Sequence, residues 1–160
     1  MKLVVFLEGT ITMHKQGVGC RREEIVEQAR SKVVTPGYFA DFVPIGNAVQ
    51  KLTSWKSQGA DISYLTSRRK INQLEEVRQV LKKYNFPEGQ LLFRNEGERY
   101  VDIVEKLMPA VLIEDDCESI GADEVIESHL GAIAKKKIRV FVVQEFFGID
   151  HLSDQIVDLQ

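Results

Sequence analysis

The residues able to do chemistry fall at the ends of apolar runs. Val4-Val5-Phe6-Leu7 stops in Glu8-Gly9-Thr10. The run DISYL (61–65) stops in Thr66-Ser67-Arg68-Arg69-Lys70, and AVLI (110–113) stops in Glu114-Asp115-Asp116. Carboxylates are hard oxygen ligands suited to Mg²⁺. Hydroxyls, and backbone N–H groups at a helix start, hold phosphate oxygens. A hard cation beside a phosphate cradle is the equipment of phosphoryl transfer. Each end also has a plain structural reading, because Ser67, Asp116 and Ser119 are ordinary helix caps. Three such ends in chain order favour the chemical reading, provided the fold brings them together.

The intervening sequence supplies elements that would do so. Strands are expected at Leu3–Leu7, Asp61–Leu65, Ala110–Ile113 and Ile138–Val143, with a weaker one at Gln90–Phe93. Their apolar runs are continuous rather than alternating, the pattern of strands covered on both faces of a parallel sheet. Helical spacing predicts helices over 22–32, 47–57, 70–84, 100–107 and 123–130. Gly59 follows the second helix, and Pro87 and Gly89 follow the third, where stop signals belong. Strand and helix alternate, so the class is α/β, a doubly wound and mainly parallel sheet. Ligands of such sheets sit beyond the carboxyl ends of the strands. The 160 residues suit one domain. Within it, 13–44 is the irregular part and reads either as a small cap or flap over the site or as a long packed connection.

The order and spacing of these ends resemble the haloacid dehalogenase-like (HAD-like) superfamily, most of whose members are Mg²⁺-dependent phosphatases. The first motif of that family is a strand followed by Asp-x-Asp-Gly-Thr. FLEGTIT (6–12) matches it at Gly9, Thr10, Ile11 and Thr12. ISYLTSR (62–68) is similar to the second motif, and VLIEDD (111–116) to the fourth. The resemblance spans nearly the whole chain, and 13–44 lies where the family carries a cap. It implies phosphate contacts from Gly9, Thr10, Thr66, Ser67 and Arg68, and Mg²⁺ held by Asp115 and Asp116. Glu114 continues the strand and is the weaker metal candidate.

The departure from the family lies at the first motif. Its nucleophilic, metal-binding Asp falls on Phe6, and its acid–base Asp falls on Glu8. Phenylalanine has neither a lone pair for attack nor an oxygen for a metal. Glu8 keeps a carboxylate able to protonate a leaving group. For the third motif, Tyr100 falls near the usual lysine, with Arg99 preferred over Lys106 as the substitute cation. The chain therefore reads as a divergent member: a phosphohydrolase-type protein impaired at its nucleophile that binds a phosphorylated small molecule. The alternative is a non-catalytic protein-interaction or regulatory module on the same scaffold.

Composition excludes other classes. A net charge of −3 with interspersed signs gives no support to nucleic-acid binding. Lys135-Lys136-Lys137 reads as a solvated loop before a strand. Cys20 and Cys117 form no framework of disulfides, and a reducing, cytoplasmic setting is expected. The apolar stretch before Glu8 is shorter than a signal-peptide core of about 7–15 residues, and no run reaches the roughly 20 residues of a spanning helix. There is no dinucleotide fingerprint after the first strand. A receiver domain would place its acids and hydroxyls in another order. His14 reads as a surface histidine despite its nearness to the first motif. Trp55 reads as core, and Phe146-Phe147 as packed on the sheet edge.

Overall fold

A computed structural model describes all 160 residues. At its centre lies β1 (Lys2–Phe6), whose residues Leu3, Val4 and Val5 have no exposed surface. It pairs in parallel with β4 (Asp61–Leu65) on one side and β6 (Val111–Asp115) on the other; Leu3 faces Ile62 and Val111 across the two ladders. The outer strands β5 (Gln90–Leu92) and β7 (Arg139–Val143) complete a five-stranded parallel sheet in the order β5-β4-β1-β6-β7. The chain enters the sheet at its middle, so the tips of β1, β4 and β6 lie side by side at one edge.

Alternation along β1 divides the core into two layers. Leu3 and Val5 pack with Leu52 and Trp55 of α2 (Ala48–Ser57) and Val77 of α3 (Ile71–Lys83). Val4 and Leu112 pack on the opposite face with Val101 and Val104 of α4 (Tyr100–Leu107). Ile126 of the one-turn α5 (Ile126–His129) and Ala134 of α6 (Ala132–Lys137) complete that layer. Trp55 is wholly buried, as its place on an apolar helix face requires, and its indole N–H donates to the Ser153 carbonyl. No helix is long and apolar enough to cross a membrane.

Several boundaries differ from the sequence reading. The three lysines 135–137 end α6 instead of forming a loop; lysine is a good helix former, and its positive charge suits a helix C-terminus. Residues 122–124 form a 3₁₀ turn, which leaves α5 shorter than expected. The strand at β6 continues through Glu114 and Asp115, both buried.

Between β1 and α2 the chain leaves the sheet. Short strands β2 (Thr12–His14) and β3 (Phe42–Pro44) pair antiparallel and form the stem of an excursion. It carries α1 (Arg22–Ser31) and a 3₁₀ turn at Tyr38–Asp41. Tyr38, Phe39 and Phe42 pack on one another. His14 is stacked on Tyr38 with ring centroids 4.5 Å apart, so it is part of this aromatic group rather than a surface residue.

Candidate functional site

A cavity of about 920 Å³ opens between the strand tips and the excursion. Phe6, Glu8, Gly9 and Asp115 line it from the sheet, and His14, Ile25, Lys32 and Tyr38 from the excursion. The three chemical ends recognised in sequence therefore share one crevice, as a central β1 flanked by β4 and β6 dictates.

Glu8 lies two residues beyond β1 and turns toward β4. Its carboxylate accepts a hydrogen bond from the Thr66 hydroxyl and another, of 3.1 Å, from the Ser67 backbone N–H. The Arg68 Nε lies 3.9 Å from the same carboxylate. Arg68 also donates to the Ser67 hydroxyl at 2.6 Å and stacks 4.2 Å over the Phe39 ring. A hydroxyl, a backbone N–H and a guanidinium make an anion cradle, and Glu8 occupies it. Arg69, the next residue, is exposed.

At the β6 tip the alternation of the strand separates two neighbouring acids. Glu114 accepts the backbone N–H groups of Ile126 (2.7 Å) and Glu127 (2.8 Å). It thereby caps α5, and burial pushes its carboxyl up to about 7. Asp115 points the other way. The Thr10 hydroxyl donates to it at 2.7 Å and the Cys117 N–H at 3.0 Å. Burial, with a further contribution from Glu145, raises Asp115 to about 6 against those two hydrogen bonds. Asp116 accepts the Glu145 N–H at 3.1 Å, and Glu145 accepts both the N–H and the hydroxyl of Ser119 at 2.6 Å. One carboxylate oxygen from each of Asp115, Asp116 and Glu145 lies within 4.8 Å of the others, a grouping able to hold a metal ion. Arg22 of α1 is the cation beside them, 3.9 Å from Asp116 and bonded to the Glu145 carbonyl at 2.8 Å.

Gly9 allows these tips to close. Its φ is +87°, and a Cβ there would stand 2.9 Å from Asp115 Oδ2. Its carbonyl accepts the Phe146 N–H at 2.7 Å, which ties the β1 loop to the segment after β7. Phe146 lines the cavity and Phe147 is largely exposed, so neither is buried on the sheet edge as their sequence suggested.

Where a nucleophile and its balancing lysine were sought, two aromatic rings meet. Phe6 and Tyr100 pack edge to face with centroids 5.2 Å apart. The Arg94 guanidinium lies 3.9 Å from the Tyr100 centroid. Burial pushes the Tyr100 hydroxyl up to about 12, so the ring is neutral at ordinary pH. Arg99, preferred in sequence as the compensating cation, is exposed and donates to Asp102 at 2.7 Å, whose carboxylate also accepts the Arg99 backbone N–H at the start of α4; it does not line the cavity. Adjacency to Tyr100 placed it near the motif, but a helix start turns successive side chains in different directions. Lys106 is an exposed helix residue, also outside the cavity.

The cavity contains cations and an acid that the sequence reading missed. Arg94 follows β5. Lys32 ends α1 at the cavity mouth, where partial burial and Arg68 lower the pKa of its ammonium against Glu8 and Glu145. Glu145 could have been found by the strand-end argument, since it follows β7 as Asp116 follows β6.

No family model and no curated protein matches this sequence. Among solved structures, the fold is similar to a class C acid phosphatase from Bacillus anthracis with tungstate bound, at a TM-score of 0.54 and 16% identity, over 92% of this chain and 68% of that one. It is also similar to a chain of a Pnkp1/Rnl/Hen1 complex, at 0.53 and 16%, over 90% of this chain; the chain spans 46% of that protein's length. These likenesses show that the chain shares an α/β fold with them, a five-stranded parallel sheet flanked by helices.

Proposed function

We propose that the protein binds a phosphorylated small molecule on a phosphohydrolase-type scaffold without forming a covalent phosphoenzyme. The observation that carries this reading is the Phe6–Tyr100 pair in the cavity wall. A phenyl ring offers no electron pair to phosphorus, so the route through an aspartyl phosphate is closed. Glu8 is unsuited to replace it, because its carboxylate is turned toward β4 and held by Thr66 and Ser67. It remains the one acid at the β1 tip able to exchange a proton with a ligand.

The Asp115, Asp116 and Glu145 group fits Mg²⁺ in donor chemistry, because every side-chain ligand is a hard oxygen, and Arg22, 3.9 Å from Asp116, is itself paired with Glu118 at 2.5 Å. It supplies no ligand from Phe6. A bound cation would offset the negative charge gathered beyond β6 and β7. The chain's own part is to orient that ligand: Thr10 fixes Asp115, Ser119 fixes Glu145, and the excursion covers the cavity as a small cap.

The test is calorimetric titration of a phosphomonoester panel with Mg²⁺ present, run beside a phosphate-release assay. Saturable binding without multiple turnover is expected. Sustained Mg²⁺-dependent release of phosphate would refute the proposal, and absence of binding across the panel would favour a protein-interaction role for the scaffold.

A further inference from the structure

Of the three cavity cations, Arg68 is already matched with Glu8. Lys32 stands among Arg68, Glu8 and Glu145. Arg94 differs from both. Its guanidinium lies on the Tyr100 ring, its Nε is buried, and that N–H has no hydrogen-bond partner. No carboxylate forms an ion pair with it. A guanidinium carries five N–H donors in a planar fork that matches phosphate or carboxylate. Leaving such donors unpaired in a half-buried wall is unfavourable, and a ring face satisfies none of them.

We propose that Arg94, and not the Thr66–Ser67–Arg68 cradle, is the anion-recognising residue for the ligand's phosphomonoester group. This deepens the phosphate-ligand reading above and rests on it. Two facts point the same way. Glu8 already fills the cradle, so a second anion there would meet a carboxylate at hydrogen-bond distance. And Tyr100 holds the guanidinium in place by its ring face, which fixes the fork before a ligand arrives at little further entropic cost. The phosphate seat thus lies at the β5 side of the crevice, next to the Phe6–Tyr100 pair.

The test is titration of the wild-type protein with inorganic phosphate and with phenyl phosphate. Arg94→Gln is expected to weaken both by tenfold or more, and Arg94→Lys by less, since a point charge survives without the fork. Arg99→Gln, on the exposed α4 cap, stays within twofold. Glu8→Ala empties the cradle and adds a second phosphate equivalent. In the wild-type protein the Arg94 Nε–H resonance shifts on addition of phosphate, a readout that does not depend on any variant folding. Phosphate binding that leaves this resonance in place and survives Arg94→Gln overturns the assignment while the phosphate-ligand reading stands. Absence of binding by either probe overturns both.

Discussion

The pair Phe6–Tyr100 can be tested by restoring charge to both positions. Phe6→Asp alone removes an edge-to-face contact, worth about 1 kcal/mol. It also leaves a carboxylate in a partly buried wall beside Glu8 and Asp115. An uncompensated buried charge costs about 3–5 kcal/mol. The single variant is therefore expected to lose about 4–6 kcal/mol, a large share of the roughly 5–15 kcal/mol that stabilises a domain. Tyr100→Lys alone loses the ring that holds Arg94 and sets two cations together. Combined, the new groups face each other across the 5.2 Å that now separates the rings. Opposite charges about 4 Å apart attract by about 4 kcal/mol at an effective dielectric constant of 20. Urea unfolding of the four proteins should give a coupling energy of about 2–4 kcal/mol, with the double variant more stable than the sum of the singles implies. Costs that add to within about 0.5 kcal/mol would refute the claim that these positions form a facing pair in the cavity wall. The double variant should also release phosphate from phenyl phosphate with Mg²⁺ faster than the wild type.

Three other outcomes follow from the crevice. Glu114 is held near 7 in the fold against 4.5 when free, so the folded state binds the extra proton. Its contribution is complete below pH 4.5 and is lost as pH rises through 7, on the order of 3 kcal/mol; Glu114→Gln should flatten this fall in urea melts at constant ionic strength, and stability that rises across the window would contradict it. Gly9→Ala places a Cβ 2.9 Å from Asp115 Oδ2 at a φ of +87°; backbone strain of about 1–2 kcal/mol plus the clash should lower the melting temperature well beyond that of Gly59→Ala, which has the same strain but open space. Thr10→Val removes the hydroxyl that donates to buried Asp115, with an expected loss of about 1–3 kcal/mol at pH 7.5 that shrinks below pH 6 as the acid is protonated.

The centre of the sheet was legible because β1, β4 and β6 are buried on both faces and their apolar runs need no periodicity to be seen. Helices α2, α3 and α4 were equally visible through their apolar stripes. Three-residue strands such as β2 and β3 carry no pattern, and a six-residue helix ending in lysines is indistinguishable from a polar loop. At the site, the clustering of Glu8, Thr66, Ser67 and Asp115 followed from strand order, but their pairing did not. The sequence reading assigned Thr66 and Ser67 to a ligand, whereas their donors reach Glu8. Direction was the missing information for Arg99 as well, and Arg94 and Lys32 are single charges outside any motif. Glu114 and Asp115 are adjacent and chemically alike, and only the extension of β6 assigns one to capping and the other to the crevice.

Glu8 has one more consequence. A corner that carries its own counter-ion is insulated from the anions of its surroundings. Buffer phosphate and sulfate gain little by approaching the tip of β4, since the donors there are spent on a tethered partner at very high effective concentration. That corner is thereby closed to abundant inorganic ions, and an anion that enters the crevice is left to the unpaired donors of Arg94.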